Sequence, residues 1–228
     1  MVIQNDKGQK FIRWNNLHLI IGNNMSAHMV EVIERGEYER EEAACVQSHV
    51  NEEDIVLELG SGIGALSAYI LANTAVKKYV CVEANKALVQ LSQKNHAING
   101  INNCQFVWGV MTNDPEQKEF DFYVNKDFWG SSLVPFKNYT KKEKVPGYLF
   151  NDCILEHKPS FLVCDIEGGE YKLFRRGLDL ASVSKICIEL HNYVASERDV
   201  VDFYAFMADN GFTLREKRRG QVLFFSRE

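Results

Sequence analysis

The chain has 228 residues, a formal net charge of −5 and a pI near 5.7, with 46% hydrophobic and 25% charged residues. That is an ordinary globular balance, long enough for one α/β domain and too short for an added substrate domain of usual size. The acidic balance argues against broad electrostatic binding of nucleic acid, and no apolar run approaches the length of a membrane span.

Met1-Val-Ile-Gln-Asn-Asp6 has neither the basic start nor the apolar core of a secretory signal. The six cysteines are scattered without a Cys-x-x-Cys pair, and Cys81, Cys164 and Cys187 lie inside apolar runs. They read as small buried hydrophobes in a reducing compartment. The expectation is a cytoplasmic protein with no membrane span and no nucleic-acid partner.

Residues 9–21 read as an extended hairpin turning at Asn15-Asn16 and broken by Gly22-Asn-Asn24. Ser26 caps a helix from Ala27 to about Arg35 that Gly36 ends, and Tyr38 to His49 reads as another helix. These form an N-terminal cap, residues 1–53. From Asp54 strands and helices alternate: strand 55–59, helix 64–72, strand 78–83, helix 87–98, strand 104–110. Glu119 to Asn125 is an extra strand and Asp127 to Gly147 an irregular loop, so 119–147 is a lid-like insertion. A short helix 151–157, strand 160–165, helix 170–178, strand 185–190 and helix 197–210 follow. A hairpin over 212–225 closes the chain, with Lys217-Arg218-Arg219 as its solvated tip.

This order implies a doubly wound, mostly parallel seven-stranded sheet finished by an antiparallel hairpin. Ligands of such sheets bind at the C-terminal strand ends, near the point where strand order reverses.

Two motifs fall at that rim. Asp54-Ile-Val-Leu-Glu-Leu-Gly-Ser-Gly-Ile-Gly64 is a strand running into a glycine turn, and Lys78-Tyr-Val-Cys-Val-Glu83 is a strand ending on an acid. Glycines let the backbone reverse sharply and approach a ligand, and an acid at the second strand end accepts ribose hydroxyls. An ordinary βα turn and a helix-capping carboxylate are the bland readings. Both motifs in order favour an adenosine-type ligand.

Further stretches carry a resemblance. Glu58-Leu-Gly-Ser-Gly-Ile-Gly64 resembles the first motif, and Val82-Glu-Ala84 the second, of class I S-adenosylmethionine-dependent methyltransferases. Asp165-Ile-Glu-Gly-Gly-Glu170, Ile188-Glu-Leu-His191 and Gly36-Glu-Tyr-Glu39 are similar to the FkbM subgroup. Ser61-Gly62 stands where that subgroup often has Ala-Asn, and Val163 where it commonly has lysine.

The resemblance implies a Rossmann-like methyltransferase fold and S-adenosylmethionine as cofactor. It implies O-methylation of a sugar, glycan or related small-molecule hydroxyl. It puts Gly60, Ser61 and Gly62 beneath the methionine portion, Glu83 with Ala84 at the ribose, and Gly109 and Val110 beside the adenine. Glu58 orients the loop or meets the amino group, and the methyl faces Asp165.

A hydroxyl needs a proton acceptor or a metal, and Asp165, Glu167, Glu189 and His191 supply both options. Histidine has the natural pKa for a base. A divalent ion stays open on Asp165, Glu189 and His191, but no close-spaced ligand motif assigns one. The bland readings are a core or capping histidine and, for Glu167 and Glu170, first-turn acids facing the helix dipole.

Phe128-Trp129-Gly-Ser-Ser132 is the candidate lid, its aromatics stacking on a ligand or packing locally, and Tyr38 and Glu39 close the pocket from the N-terminal side. The rivals are an NAD-dependent oxidoreductase, because Gly60-x-Gly62-x-x-Ala65 also fits that fingerprint, and a non-catalytic binding module. The oligomeric state is left open.

Overall fold

Ile55–Leu59 (β4) is nearly continuous apolar sequence, and a strand with that composition has to be covered on both faces. In the computed structural model, which describes residues 2–4, 8–22, 25–135 and 139–228, it lies at the centre of a seven-stranded sheet. On one side run Lys78–Glu83 (β5) and Cys104–Trp108 (β6); on the other run Phe161–Cys164 (β10) and Lys185–Glu189 (β11), all parallel. Beyond β11 come Val222–Ser226 (β13), antiparallel, and Thr213–Lys217 (β12) at the edge. The chain leaves β4 for one side and returns to β10 on the other, so the crevice where order reverses opens between Leu59 and Cys164. This is the expected doubly wound Rossmann-like architecture with its C-terminal hairpin.

Strand alternation sorts the core into two layers. Val56, Tyr79, Cys81, Phe161 and Val163 face one cluster, while Leu57, Val80, Val82, Leu162 and Cys164 face the other. The first layer is covered by Arg40–His49 (α2), Ala65–Asn73 (α3) and Lys86–Ile98 (α4). The N-terminal Lys10–Trp14 (β2), Leu17–Ile20 (β3) and Ala27–Glu34 (α1) also pack there, through Trp14, Leu19, Met29 and Ile33. Val2–Gln4 (β1) adds an outer strand to that hairpin. Phe150–His157 (α5) and Glu197–Asp209 (α7) cover the second layer through Phe150, Ile154, Phe203 and Phe206. No helix among the described residues is long and apolar enough to cross a membrane. All six cysteines are free.

The helix at Ala27 is capped by Ser26, as expected. Of the Gly22-Asn-Asn24 break, Asn23 and Asn24 lie outside the described residues.

Four expectations are corrected. Helix α2 starts at Arg40 rather than Tyr38, because Glu39 is left-handed (φ 46°) and its carboxylate accepts from the amide of Leu66 instead. The strand after α4 stops at Trp108. Val110–Thr112 (β7) leaves to join a second sheet, with Gly109 at the break.

The stretch from Asp127 to Gly147 is not a plain loop. Lys141–Leu149 (β9) pairs antiparallel with Glu119–Val124 (β8) and then parallel with β7. Its lysines hid it, being solvent-facing and matched to acids of β8: Lys142 to Asp121 at 2.7 Å and Lys144 to Glu119 at 3.2 Å. Pro146 sits where the partner strand changes, a place that tolerates the missing donor. Finally, the helix expected over 170–178 is a single turn, Glu170–Leu173 (α6), because Glu170 faces inward to hold the preceding loop.

Candidate active site

The turn after β4 carries Gly60 (φ 84°), Gly62 (φ 52°) and Gly64 (φ 71°). A Cβ on Gly60 would lie 1.6 Å from the Asp165 carbonyl oxygen, and one on Gly64 would lie 1.9 Å from Ser92 Oγ. These two glycines therefore let the turn seat against the end of β10 and against α4. Gly60 and Gly62 also border open space.

That space is a cavity of about 290 Å³, near the lower end of ligand sites at roughly 300 Å³. Its floor is the turn and the β5 end: Leu59, Gly60, Gly62, Val82, Glu83 and Ala84. Gly109, Val110 and Met111 wall one side, and Asp165, Ile166 and Glu167 the other. Tyr38, Phe128 and Trp129 close it over, with Tyr38 and Phe128 ring centroids 6.0 Å apart, edge to face. Ser132 Oγ donates to the Glu167 carbonyl at 2.9 Å, and Asp127 accepts from the Ser26 amide at 2.9 Å, so the lid segment is fastened at both ends.

Glu83 joins the two turns. One carboxylate oxygen accepts from the Gly62 amide at 2.9 Å and the other from the Asn85 amide at 2.7 Å. Burial pushes its pKa up to about 7, although the amides of Asn85, Gly62 and Ala84 pull the other way. The carboxylate, with about four lone-pair sites, keeps capacity for a further donor.

Of the residues expected at the cofactor, Gly60, Gly62, Glu83, Ala84, Gly109, Val110 and Asp165 line the cavity. Ser61 is buried behind it, its amide 3.2 Å from the Val82 carbonyl and its hydroxyl without a hydrogen-bond partner among the described residues. Glu58 also lies beneath the turn, where Cys81 Sγ is 3.5 Å from its carboxylate and burial raises its pKa well above the usual range.

The rim beside Asp165 gathers the remaining candidates. His191 Nδ1 is 2.9 Å from Glu170 Oε1, while Nε2 stands 3.4 Å from Glu167 and 3.8 Å from Asp165. Glu170 is fully buried and accepts from the amides of Ile166 and Gly168 as well, so it fixes both the loop and the ring. Glu167 carries a left-handed φ of 54° on that loop.

Burial lowers the pKa of His191, but the Glu170 hydrogen bond and the charges of Glu170, Glu167 and Glu189 overcome this and bring it to about 8. Burial and the neighbouring carboxylates raise Asp165 well above its ordinary range and Glu189 to about 7, and burial raises Glu167. Atoms of Asp165, Glu189 and His191 lie within 4.8 Å of one another.

Sequence reasoning gave no site role to two members of this cluster. Glu170 was read only as the end of the Asp165–Glu170 motif and as a first-turn acid facing the helix dipole, and its inward direction depends on the short turn of α6. Glu42 comes from α2; burial raises its pKa, while its hydrogen bond with Glu189 pulls the other way. Nothing local to α2 marks it.

Residues 43–126 match the family model described as the methyltransferase small domain. Among solved structures, the Pyrococcus horikoshii protein PH0793 is similar at a TM-score of 0.50 and 12% identity, over 95% of this chain and 69% of that one. TYW2 of M. jannaschii, in complex with AdoMet, gives 0.49 and 13% over 100% and 90%. Sp1610 of Streptococcus pneumoniae, in complex with S-adenosyl-L-methionine, gives 0.49 and 16% over 82% and 72%. No curated protein matches. At these identities the likeness concerns fold. Sp1610 is described as a putative tRNA (m1A22) methyltransferase, which overturns the expectation, drawn from the acidic balance, that nucleic acid is excluded as a partner.

Proposed function

We propose that the protein is an S-adenosylmethionine-dependent methyltransferase, and that its acceptor is a hydroxyl of a sugar, glycan or related metabolite. The observation that carries the donor half is Glu83, at the end of the second core strand, tied to the Gly62 amide across the floor of the cavity. That pairing puts a carboxylate with free lone pairs where a ribose diol would lie. The match of residues 43–126 to the methyltransferase small domain supports it. The acceptor class rests on the resemblance of Asp165-Ile-Glu-Gly-Gly-Glu170 to the FkbM subgroup.

The cofactor, when bound, supplies an electrophilic methyl group on sulfur. Gly60 and Gly62 would carry its methionine portion and Val110 its adenine, with Glu83 accepting from the ribose. Tyr38 and the Phe128–Trp129 lid exclude water from the cavity. Holding the hydroxyl oxygen in line with the methyl is then the main contribution of the fold. Asp165 and Glu167, on the wall facing the Glu83 floor, are placed to receive the hydroxyl, with the surrounding cluster taking up its proton.

Thermal shift with S-adenosylhomocysteine and with NAD tests the donor half, with stabilisation by the former alone expected. Stabilisation by NAD alone reverses the reading to an oxidoreductase. Labelled methyl transfer from S-adenosylmethionine into small-molecule, glycan and RNA fractions tests the acceptor. Label in the nuclease-sensitive RNA fraction, and not in hydroxyl products, overturns the hydroxyl.

A further inference from the structure

We propose that Asp165, Glu189 and His191 form a binding site for one divalent cation of the Mg²⁺/Mn²⁺ class, which touches the acceptor. The inference deepens the methyl-transfer reading and rests on it for what the cation does, though not for where it binds.

The donor atoms come from the ends of neighbouring strands β10 and β11 and already converge to within 4.8 Å of one another. Adjacent ligands of an octahedral ion at about 2.1 Å stand about 3 Å apart, so side-chain rotation alone closes the set. Two carboxylates with one imidazole suit a hard or borderline divalent ion.

The second observation concerns His191. It is only 9% exposed. Its Nδ1 faces Glu170 at 2.9 Å, the arrangement in which a carboxylate fixes the tautomer and turns the other nitrogen toward a metal. Nε2 makes no hydrogen bond among the described residues, with Glu167 at 3.4 Å and Asp165 at 3.8 Å. Asp165 Oδ1 is likewise buried with no hydrogen-bond partner. A buried carboxylate oxygen of Asp165 and a ring nitrogen of His191 thus face each other at 3.8 Å, beyond hydrogen-bond distance.

Charge argues in the same direction. Glu42, Asp165, Glu167, Glu170 and Glu189 surround His191, and no lysine or arginine forms an ion pair with any of them among the described residues. Buried carboxylates are kept when a cation or a proton neutralises them. Glu170 cannot swing away to relieve the crowding, because the amides of Ile166 and Gly168 hold it.

Asp165 and Glu167 line the cavity, so a cation on the former reaches the acceptor oxygen. Coordination withdraws electron density from that oxygen, and its proton passes to the Glu167 carboxylate. The oxygen lone pair then forms the bond to the methyl carbon while the carbon–sulfur pair returns to sulfur.

Mn²⁺ binding followed by electron paramagnetic resonance on the full chain tests the site, without need of turnover. One Mn²⁺ per chain, displaced by Mg²⁺, is expected. Glu189→Gln and Asp165→Asn should each weaken it more than tenfold, and Glu170→Gln by about 10- to 100-fold, in proteins whose circular-dichroism melts show them folded. No Mn²⁺ bound to wild type at millimolar concentration overturns the site and leaves His191 as an imidazolium paired with its acids. Equal binding by wild type and whichever of the two ligand variants folds overturns it too. S-adenosylhomocysteine stabilisation, measured on the same wild-type sample, separates loss of the cation from loss of the donor reading.

Discussion

The two halves of the cavity use carboxylates in opposite ways. On the Glu83 side a single acid is satisfied by backbone amides from two turns, and it holds the floor rigid. On the Asp165 side several acids crowd one imidazole, and Asp165 Oδ1 is buried with no hydrogen-bond partner among the described residues. A carboxylate fed by amides is a built receptor for something neutral with hydroxyls. A crowd of carboxylates is unfinished until a cation or protons arrive. On the proposed reading, donor recognition falls to the first half and activation of the acceptor to the second.

The largest expected effect comes from breaking the wall the halves share. Gly60→Ala drives a Cβ to within 1.6 Å of the Asp165 carbonyl at a φ of 84°. Backbone lies on both sides, so neither can yield cheaply, and a loss of more than about 3 kcal/mol is expected. A urea melt checks it. A variant as stable as wild type would show that the turn and the Asp165 loop are not rigidly joined.

Next in size is the test of the donor half. Glu83→Gln keeps the shape but gives up charge-assisted hydrogen bonds, which are worth about 1.5–3 kcal/mol each. Affinity for S-adenosylhomocysteine should fall about 10- to 100-fold by calorimetry, while Mn²⁺ binding at the other half stays unchanged. Glu189→Gln should do the reverse, lowering the methylation rate with cofactor affinity kept. If both variants damaged both ligands, the division of labour would be wrong.

These tests also measure how far the sequence could be read. The donor half was legible because its parts are local: a strand, its glycine turn, and an acid at the next strand end, each in fixed order. Even so, Gly60 and Gly64 are also required for packing against Asp165 and Ser92, and of these two only Gly60 lines the cavity. The acceptor half was legible only where residues sit beside strand ends. Asp165, Glu167, Glu189 and His191 could be found that way, whereas Glu42 arrives from a helix more than a hundred residues earlier. Strand β9 escaped because its polar face reads as loop until the acids of β8 are set opposite it.

A pH series sharpens the donor half further. In the folded, empty protein Glu83 has its pKa raised to about 7 from an ordinary 4.5. The unfolded chain therefore releases this proton first, and the group costs the fold stability as pH rises from 4.5 through about 7, with no further loss above. Binding follows the opposite course. Ribose hydroxyls donate to the ionised carboxylate, so affinity should be about tenfold weaker at pH 6 than at pH 8. Calorimetry with S-adenosylhomocysteine at the two values checks this, and Glu83→Gln should flatten the slope.

The smallest effect is expected at the lid. Trp129 lines the cavity and stands 6.5 Å from Tyr38, tilted, and 6.0 Å from His28. Phe128 beside it is only 4% exposed and anchors the segment, so Trp129→Ala should leave the fold within about 1 kcal/mol of wild type. Trp129 stands on the Tyr38 side of the cavity, which on the proposed reading roofs the donor half, so its loss should raise the dissociation constant for S-adenosylhomocysteine a few-fold without touching Mn²⁺ affinity. A larger loss of Mn²⁺ than of cofactor would place the lid over the acceptor half instead, and the aromatic roof would then belong to acceptor recognition.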